Sequence, residues 1–145
     1  MDVTKIGDDD IEAVVALWER CGLTRPWNDP RADIALARET PTSDVLVGRR
    51  EGAIVSSVMV GCDGHRGWVY YLSVEPALQG QGLGRAMMRA AETWARASGA
   101  PKIQLMVRGS NVAAVGFYKA LGYLQEDTVV IGKRFDGKAW ATTED

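Results

Sequence analysis

Histidine occurs once in this chain, at His65, and cysteine only twice, at Cys21 and Cys62. A single histidine excludes zinc sites built on two of them and leaves any Ser/His/Asp hydrolase dependent on one residue. The cysteines stand alone in dissimilar surroundings, so they read as reduced, buried thiols and not as a redox pair or a disulfide framework. No charge of one sign prevails. With 17 basic and 19 acidic side chains the formal charge is −2, and without clustered positive charge nucleic acid is not an expected partner. Long apolar runs are also missing. The longest, Ala53 to Cys62, is interrupted by Ser56 and Ser57 and falls short of the roughly 20 residues that span a bilayer. The opening MDVTKIGDDD lacks the basic, then apolar, profile of a signal peptide. These absences give the expectation of a cytoplasmic protein with no membrane attachment.

What is present is ordinary globular composition, 46% hydrophobic and 25% charged over 145 residues. That length suits one domain spanning 1–145 and leaves no room for a second. After a short strand candidate at Asp2 to Ile6, the acidic run Asp8 to Asp10 precedes Ile11, Val14, Val15, Trp18 and Cys21. Their spacing predicts one apolar helical stripe, with carboxylates placed favourably at its start. Gly22 ends it, and Asp29-Pro30 opens a second helix that fades near Thr40 and Pro41, aspartate being a good cap and proline a good first residue. Val45 to Arg49 and Ala53 to Cys62 read as a hairpin turning at Glu51-Gly52. Trp68 to Val74 reads as a buried central strand that Pro76 stops.

A helix led by Gly80 to Gly84 follows and closes near Gly99. Next come a strand at Lys102 to Val107 and a helix capped by Asn111 and ended by Gly122. A last pair of strands is expected at Tyr123 to Gln125 and Val129 to Phe135. The tail from Gly137 is polar and reads as loose. The predicted fold class is α/β (α+β), a mixed sheet with helices on both faces.

The segment Gln79-Gly80-Gln81-Gly82-Leu83-Gly84-Arg85, between a strand and an amphipathic helix, carries the most chemistry. Glycines let a backbone approach a ligand, free amides at a helix start favour phosphate oxygens, and Arg85 can add a charged contact. By themselves the glycines equally suit a tight connection. A dinucleotide fingerprint fails, since the third position is Arg85 or Met87 and the loop lies halfway along the chain. A phosphate-binding P-loop fails at Gly132-Lys133, which Arg134 follows.

The pattern Q/R-x-x-G-x-G/A is met by Gln79, Gly82 and Gly84. Here the chain resembles the GNAT superfamily of acyl-CoA-dependent N-acyltransferases. Leu72-Ser73-Val74-Glu75-Pro76 is similar to that family's central strand. Asn111, Ala114, Phe117, Tyr118, Leu121, Gly122 and Tyr123 match its second signature, N-x-x-A-x-x-F-Y-x-x-x-G-F/Y. RPWNDP at Arg25 to Pro30 and DGHRG at Asp63 to Gly67 resemble the YpeA-type bacterial subgroup.

The resemblance implies a central splayed sheet whose bulged strand turns the amides of Leu72 and Val74 towards pantetheine and the thioester. It implies that the Gln79 to Arg85 loop wraps the pyrophosphate of acetyl-CoA and that Asn111 lies on the cofactor side. No metal is implied. A backbone donor near Leu72 would stabilise the oxyanion, and Tyr118 is the candidate acid for the departing thiolate, its bland alternative being a packed helix aromatic.

For the base, Glu75, Asp63 and His65 are candidates, each equally readable as a surface or turn residue. Trp27 and Asp29 are candidates for acceptor binding, the alternative being a packed indole and a helix cap. Together with Trp18 and Asp33, and with little positive charge nearby, they favour a cationic amine. The expected activity is acetyl transfer to a primary amine by direct attack in a ternary complex, and the alternative is a noncatalytic acyl-CoA-binding or sensing module. Expected partners are a small-molecule or peptide amine and, in a homodimer, a second copy of the chain.

Overall fold

The computed structural model describes residues 1–138. Their contacts resolve two compact units, Met1–Thr24 with Asn28–Met106, and Arg25–Trp27 with the chain from Val107 onward. The first unit contains β1 (Asp2–Lys5), α1 (Ile11–Arg20), α2 (Pro30–Glu39), β2 (Ser43–Arg50), β3 (Ala53–Cys62), β4 (Gly67–Val74), α3 (Leu83–Ala97) and β5 (Ile103–Leu105). Its sheet runs β1-β2-β3-β4-β5. The first four strands are antiparallel neighbours, and β5 lies parallel to β4, a pairing that needs a crossover connection such as α3 provides.

Local chemistry accounts for these boundaries. At the start of α2 the Asp29 carboxylate accepts the amides of Arg31 and Ala32, both at 3.1 Å, with Pro30 in the first turn. Glu51 and Gly52 both have positive φ, 51° and 82°, the turn geometry whose twist matches a tight hairpin. On one face of the sheet Val45 and Val47 pack with Val14, Val15, Trp18 and Ile34 of α1 and α2. The other face takes α3. There a Cβ on Gly67 would come within 2.7 Å of the Ala95 Cβ, so this glycine sets how closely the helix approaches.

The second unit is built on α4 (Val112–Ala120), where the Asn111 side chain accepts the Ala114 amide at 3.1 Å. Gly122, at φ 93°, follows the helix end. The two strands expected after it do not form: 123–138 contains no strand. The side chains of Leu124, Ile131 and Phe135 are 87%, 91% and 93% exposed. β-rich composition expresses a fit to a half-buried pleated surface, and an unsupported two-stranded hairpin is marginal in water. With no surface against these side chains, composition alone does not make strands. Most of the polar tail, 139–145, lies outside the described residues. Among those described, no helix is long and apolar enough to cross a membrane.

Candidate active site

The two halves of β4 differ in their partners. Gly67, Trp68 and Val69 pair with β5 on one side and β3 on the other. Beyond Val69, β4 has partners only on β3 among the described residues, because β5 ends at Leu105. The Glu75 amide donates to the Val55 carbonyl at 2.8 Å. Alternation along the strand therefore turns the amides of Leu72 and Val74 away from β3, towards the open edge. Among the described residues the end of β5 leaves these two backbone donors without a strand partner.

A bulge accompanies the opening. Ser57 pairs with Ser73 but Met59 pairs with Tyr70, so Tyr71 and Leu72 together oppose Val58. Tyr71 has φ 56°, at the first bulge position, where positive φ ordinarily calls for glycine. Such a conformation in a bulky residue costs about 1–3 kcal/mol. Two contacts offset it. The Tyr71 ring lies flat on Trp18, centroids 3.8 Å apart and planes 3° from parallel, which takes the facing ring surfaces out of water. Its hydroxyl donates to Asp33 Oδ2 at 2.7 Å, and bonds to charged groups contribute about 1.5–3 kcal/mol. Burial, followed by the Asp33 carboxylate, pushes the phenol pKa well above its ordinary value. Beneath them Trp18 Nε1 donates to Ser57 Oγ at 2.8 Å, and Ser57 Oγ lies 2.7 Å from Ser73 Oγ. Every polar atom of this buried group is satisfied.

After β4 the chain makes a single turn at Pro76–Leu78 and enters the glycine loop. Gly80 and Gly82 have φ 80° and 82°, and nothing lies within 4 Å of a Cβ built on either. Gly82 caps α3 without any side-chain bond, and the first intrahelical donor is the Ala86 amide to the Gly82 carbonyl. The amides of Gly82, Leu83, Gly84 and Arg85 thus lie where a helix offers its donors to an anion. Leu83 and Gly84 are buried, so Leu83 can serve a ligand only through its backbone. Arg85 is exposed. Gln79 Nε2 reaches the Val74 carbonyl at 3.4 Å, and Gln81 accepts from Arg50 at 3.0 Å.

Two of the three candidate bases, Glu75 and Asp63, are engaged elsewhere, while His65 enters hydrogen bonds through its backbone. Glu75 takes the Arg20 guanidinium through both oxygens, the shortest contact being 2.6 Å. Asp63 closes its own turn, accepting the His65 and Arg66 amides at 2.8 Å and Trp68 Nε1 at 3.2 Å. The Arg66 amide is foremost in holding the Asp63 carboxyl below its usual range, which makes it a weaker base. Cys21 and Cys62 are free thiols. Burial pushes the Cys21 thiol pKa up, while its Sγ donates to the Val74 carbonyl at 3.2 Å.

In the second unit Tyr118 packs edge-on against Phe117 and Tyr123, at 5.0 and 5.8 Å between centroids. Burial pushes its phenol up to about 12. Trp27 is partly buried, and its carbonyl accepts from Arg134. Asp29 acts as a cap, as the sequence allowed. Trp18 does not present a face to solvent, being 0% exposed; its expected share in attracting a cation gives way to a place under Tyr71. The bulge tyrosine and its partners escaped sequence reasoning, because an aromatic within a β-rich run signals a straight strand.

Free amides along a strand edge, followed by free amides at a helix start, suit an extended acyl carrier that ends in phosphates. The fold is that of an acyltransferase. The chain belongs to the Acetyltransferase (GNAT) family, whose profile matches residues 11–123, running through both units. An acetyltransferase of Pectobacterium atrosepticum is 46% identical over 134 residues, covering 92% of this chain and 95% of its own. One from Yersinia enterocolitica is 44% identical with the same coverage. Among solved structures, AAC(6')-Iy in complex with a CoA bisubstrate analogue has a TM-score of 0.80 at 14% identity, covering 92% of this chain and 97% of that one. The ribosomal-protein-S18-alanine N-acetyltransferase from Escherichia coli has 0.70 at 21%, covering 83% and 76%. The protein is an acetyltransferase.

Proposed function

We propose that the protein transfers acetyl from acetyl-CoA to a primary amine by direct attack in a ternary complex, the whole chain acting as one cytoplasmic domain. The observation that carries this reading is the pair of free amides on β4, Leu72 and Val74, leading into the unpaired helix start at Gly82 to Arg85. Pantetheine lies along the open edge of β4 as an added strand would, and the pyrophosphate meets the loop amides, with Gln79, Gly80, Gln81 and Arg85 around them. The Leu72 amide donates to the thioester oxygen as the amine attacks and negative charge develops there. Asn111 belongs to the cofactor side by its match to the second motif. No cysteine carries the acetyl group.

Tyr118 gives its proton to the leaving thiolate. A phenol near 12 stays protonated through neutral pH, as an acid must. Against a thiol of pKa about 8.5 in water, transfer would be uphill by roughly 5 kcal/mol. Desolvation that raises the phenol also raises a thiolate, so the transfer becomes favourable only as the C–S bond breaks and charge builds on sulfur. Since Glu75 and Asp63 are held by other partners, the amine proton goes to His65 or to water. Trp27 and Asp29 serve in acceptor binding, where an indole and a carboxylate favour an ammonium group. The relatives' names cover acceptors as different as an aminoglycoside and a ribosomal-protein alanine, so fold alone does not choose among amines.

Thiol release from acetyl-CoA across putrescine, free lysine, an aminoglycoside and an alanyl peptide tests the reading. Amine-dependent release with one acetyl transferred per thiol is expected. Binding of acetyl-CoA without release from any of them favours the sensing module, and release without amine favours a hydrolase.

A further inference from the structure

We infer that Tyr71 is a positioning residue for the transfer, held by Trp18 and Asp33 so that its positive-φ backbone fixes the Leu72 amide at the open edge of β4. This rests on the acetyltransferase reading above and adds to it the device that sets the oxyanion donor. Three observations converge. Tyr71 occupies the bulge position where glycine would be unstrained, so retaining a tyrosine there calls for a use of its side chain. That side chain is fixed at both its face and its tip, by the Trp18 stack at 3.8 Å and the Asp33 bond at 2.7 Å. The two anchors come from α1 and α2, and Trp18 is itself tied through Ser57 to Ser73, two residues beyond the bulge. The backbone between Tyr71 and Ser73 is thereby held from both sides, and Leu72 is the residue between them.

A donor fixed before reaction avoids reorganisation as charge develops. Loosening the clamp should consequently lower kcat while acetyl-CoA affinity, supplied also by the Gly82 to Arg85 amides, changes little. Tyr71→Phe keeps the stack and removes the Asp33 bond. Tyr71→Gly removes both contacts and also relieves the backbone, so it is expected to remain folded. Asp33→Asn keeps an acceptor for the phenol and serves as the conservative rescue, whereas Asp33→Ala does not.

Steady-state kinetics with the best amine of the panel, calorimetry with acetyl-CoA and melting curves form the experiment. Tyr71→Phe and Asp33→Ala are each expected to lower kcat about tenfold, since small misplacements of a reacting group can cost up to about a hundredfold. The double variant should be no worse than either single one, because both remove the same bond. Tyr71→Gly should fall furthest, acetyl-CoA affinity should stay within about twofold, and Asp33→Asn should be close to wild type. Unchanged kcat in Tyr71→Phe and Tyr71→Gly, beside an active wild type, overturns the clamp alone. A wild type that releases no thiol with any amine overturns the reaction and the clamp together.

Discussion

The first and second halves of β4 are built from similar residues, Gly67-Trp68-Val69 against Leu72-Ser73-Val74, yet one is sheet interior and the other is an open edge. The first half is paired on both sides and sits under α3, where Gly67 admits Ala95. The second is paired on one side and follows a strained tyrosine. Side-chain composition does not separate them. Their difference lies in the length of a neighbour, β5, which stops after three residues, and in a bulge that reverses the pairing parity. In the proposed reading function resides mostly in backbone donors, and what makes a donor available to a ligand is the absence of its usual partner.

The largest expected effect marks what the open edge cannot supply, a proton. Tyr118→Phe should lower kcat by about 10² to 10⁴, the range of a lost acid, with little change in the KM for acetyl-CoA. With the phenol near 12, the wild-type kcat–pH profile should show no descending limb from Tyr118 below about pH 10. Wild-type kcat in the variant, with chemistry shown to limit turnover, would assign the proton to water.

Next is a direct contrast between the two halves. The Gly67 amide donates towards β5, to Lys102 O at 2.8 Å, and alternation gives Val69 the same direction. Val69→Pro therefore removes a ladder bond within the sheet and should lower the melting temperature markedly. Val74→Pro removes an amide that faces the open edge, so its melting temperature should shift far less while acetyl-CoA binding weakens about tenfold, one net hydrogen bond. Equal melting losses for the two, with unchanged affinity for Val74→Pro, would erase the distinction between the halves.

The glycine loop extends the same logic beyond the strand. At φ 82° Gly82 is in a region a β-branched residue avoids, so Gly82→Val distorts the helix start and should weaken acetyl-CoA binding at least about tenfold. Gly82→Asn tolerates the conformation better and should lose distinctly less. Calorimetry on both reads whether backbone geometry or added bulk matters, and unaltered affinity in a folded valine variant would remove the loop from the site.

How far the sequence was legible follows from which interactions are local. The hairpin at Glu51-Gly52, the Asp29 and Asn111 caps and the glycine loop depend on residues within a few positions, and their patterns were readable. So were the two family motifs, which place the loop on the helix start where it is observed. Tyr71 was not readable, because its backbone is set by Trp18 and Asp33, more than thirty residues away, against its own preference. The expected strands at Tyr123 to Gln125 and Val129 to Phe135 failed for the converse reason: strong local β preference, with no surface to complete it.

The smallest effects are expected on the acceptor side, where a charge already occupied as a cap is asked to attract a substrate as well. Asp29 Oδ1 accepts two amides of α2, yet the side chain is exposed and its charge still acts over the neighbouring solvent, within the Debye length of about 8 Å. Asp29→Asn keeps the cap, asparagine being as good a cap as aspartate, and removes only the charge. The amine KM should rise about two- to threefold at low salt and the difference should shrink as salt increases, with acetyl-CoA affinity and melting temperature unchanged. Trp27→Ala should raise the amine KM a little more, by loss of a cation–π face. A cap and a packed indole with no further part in the reaction would leave the amine KM unaltered in both variants. In that case Trp27→Ala would lower the melting temperature, and Asp29→Ala would do so where Asp29→Asn does not.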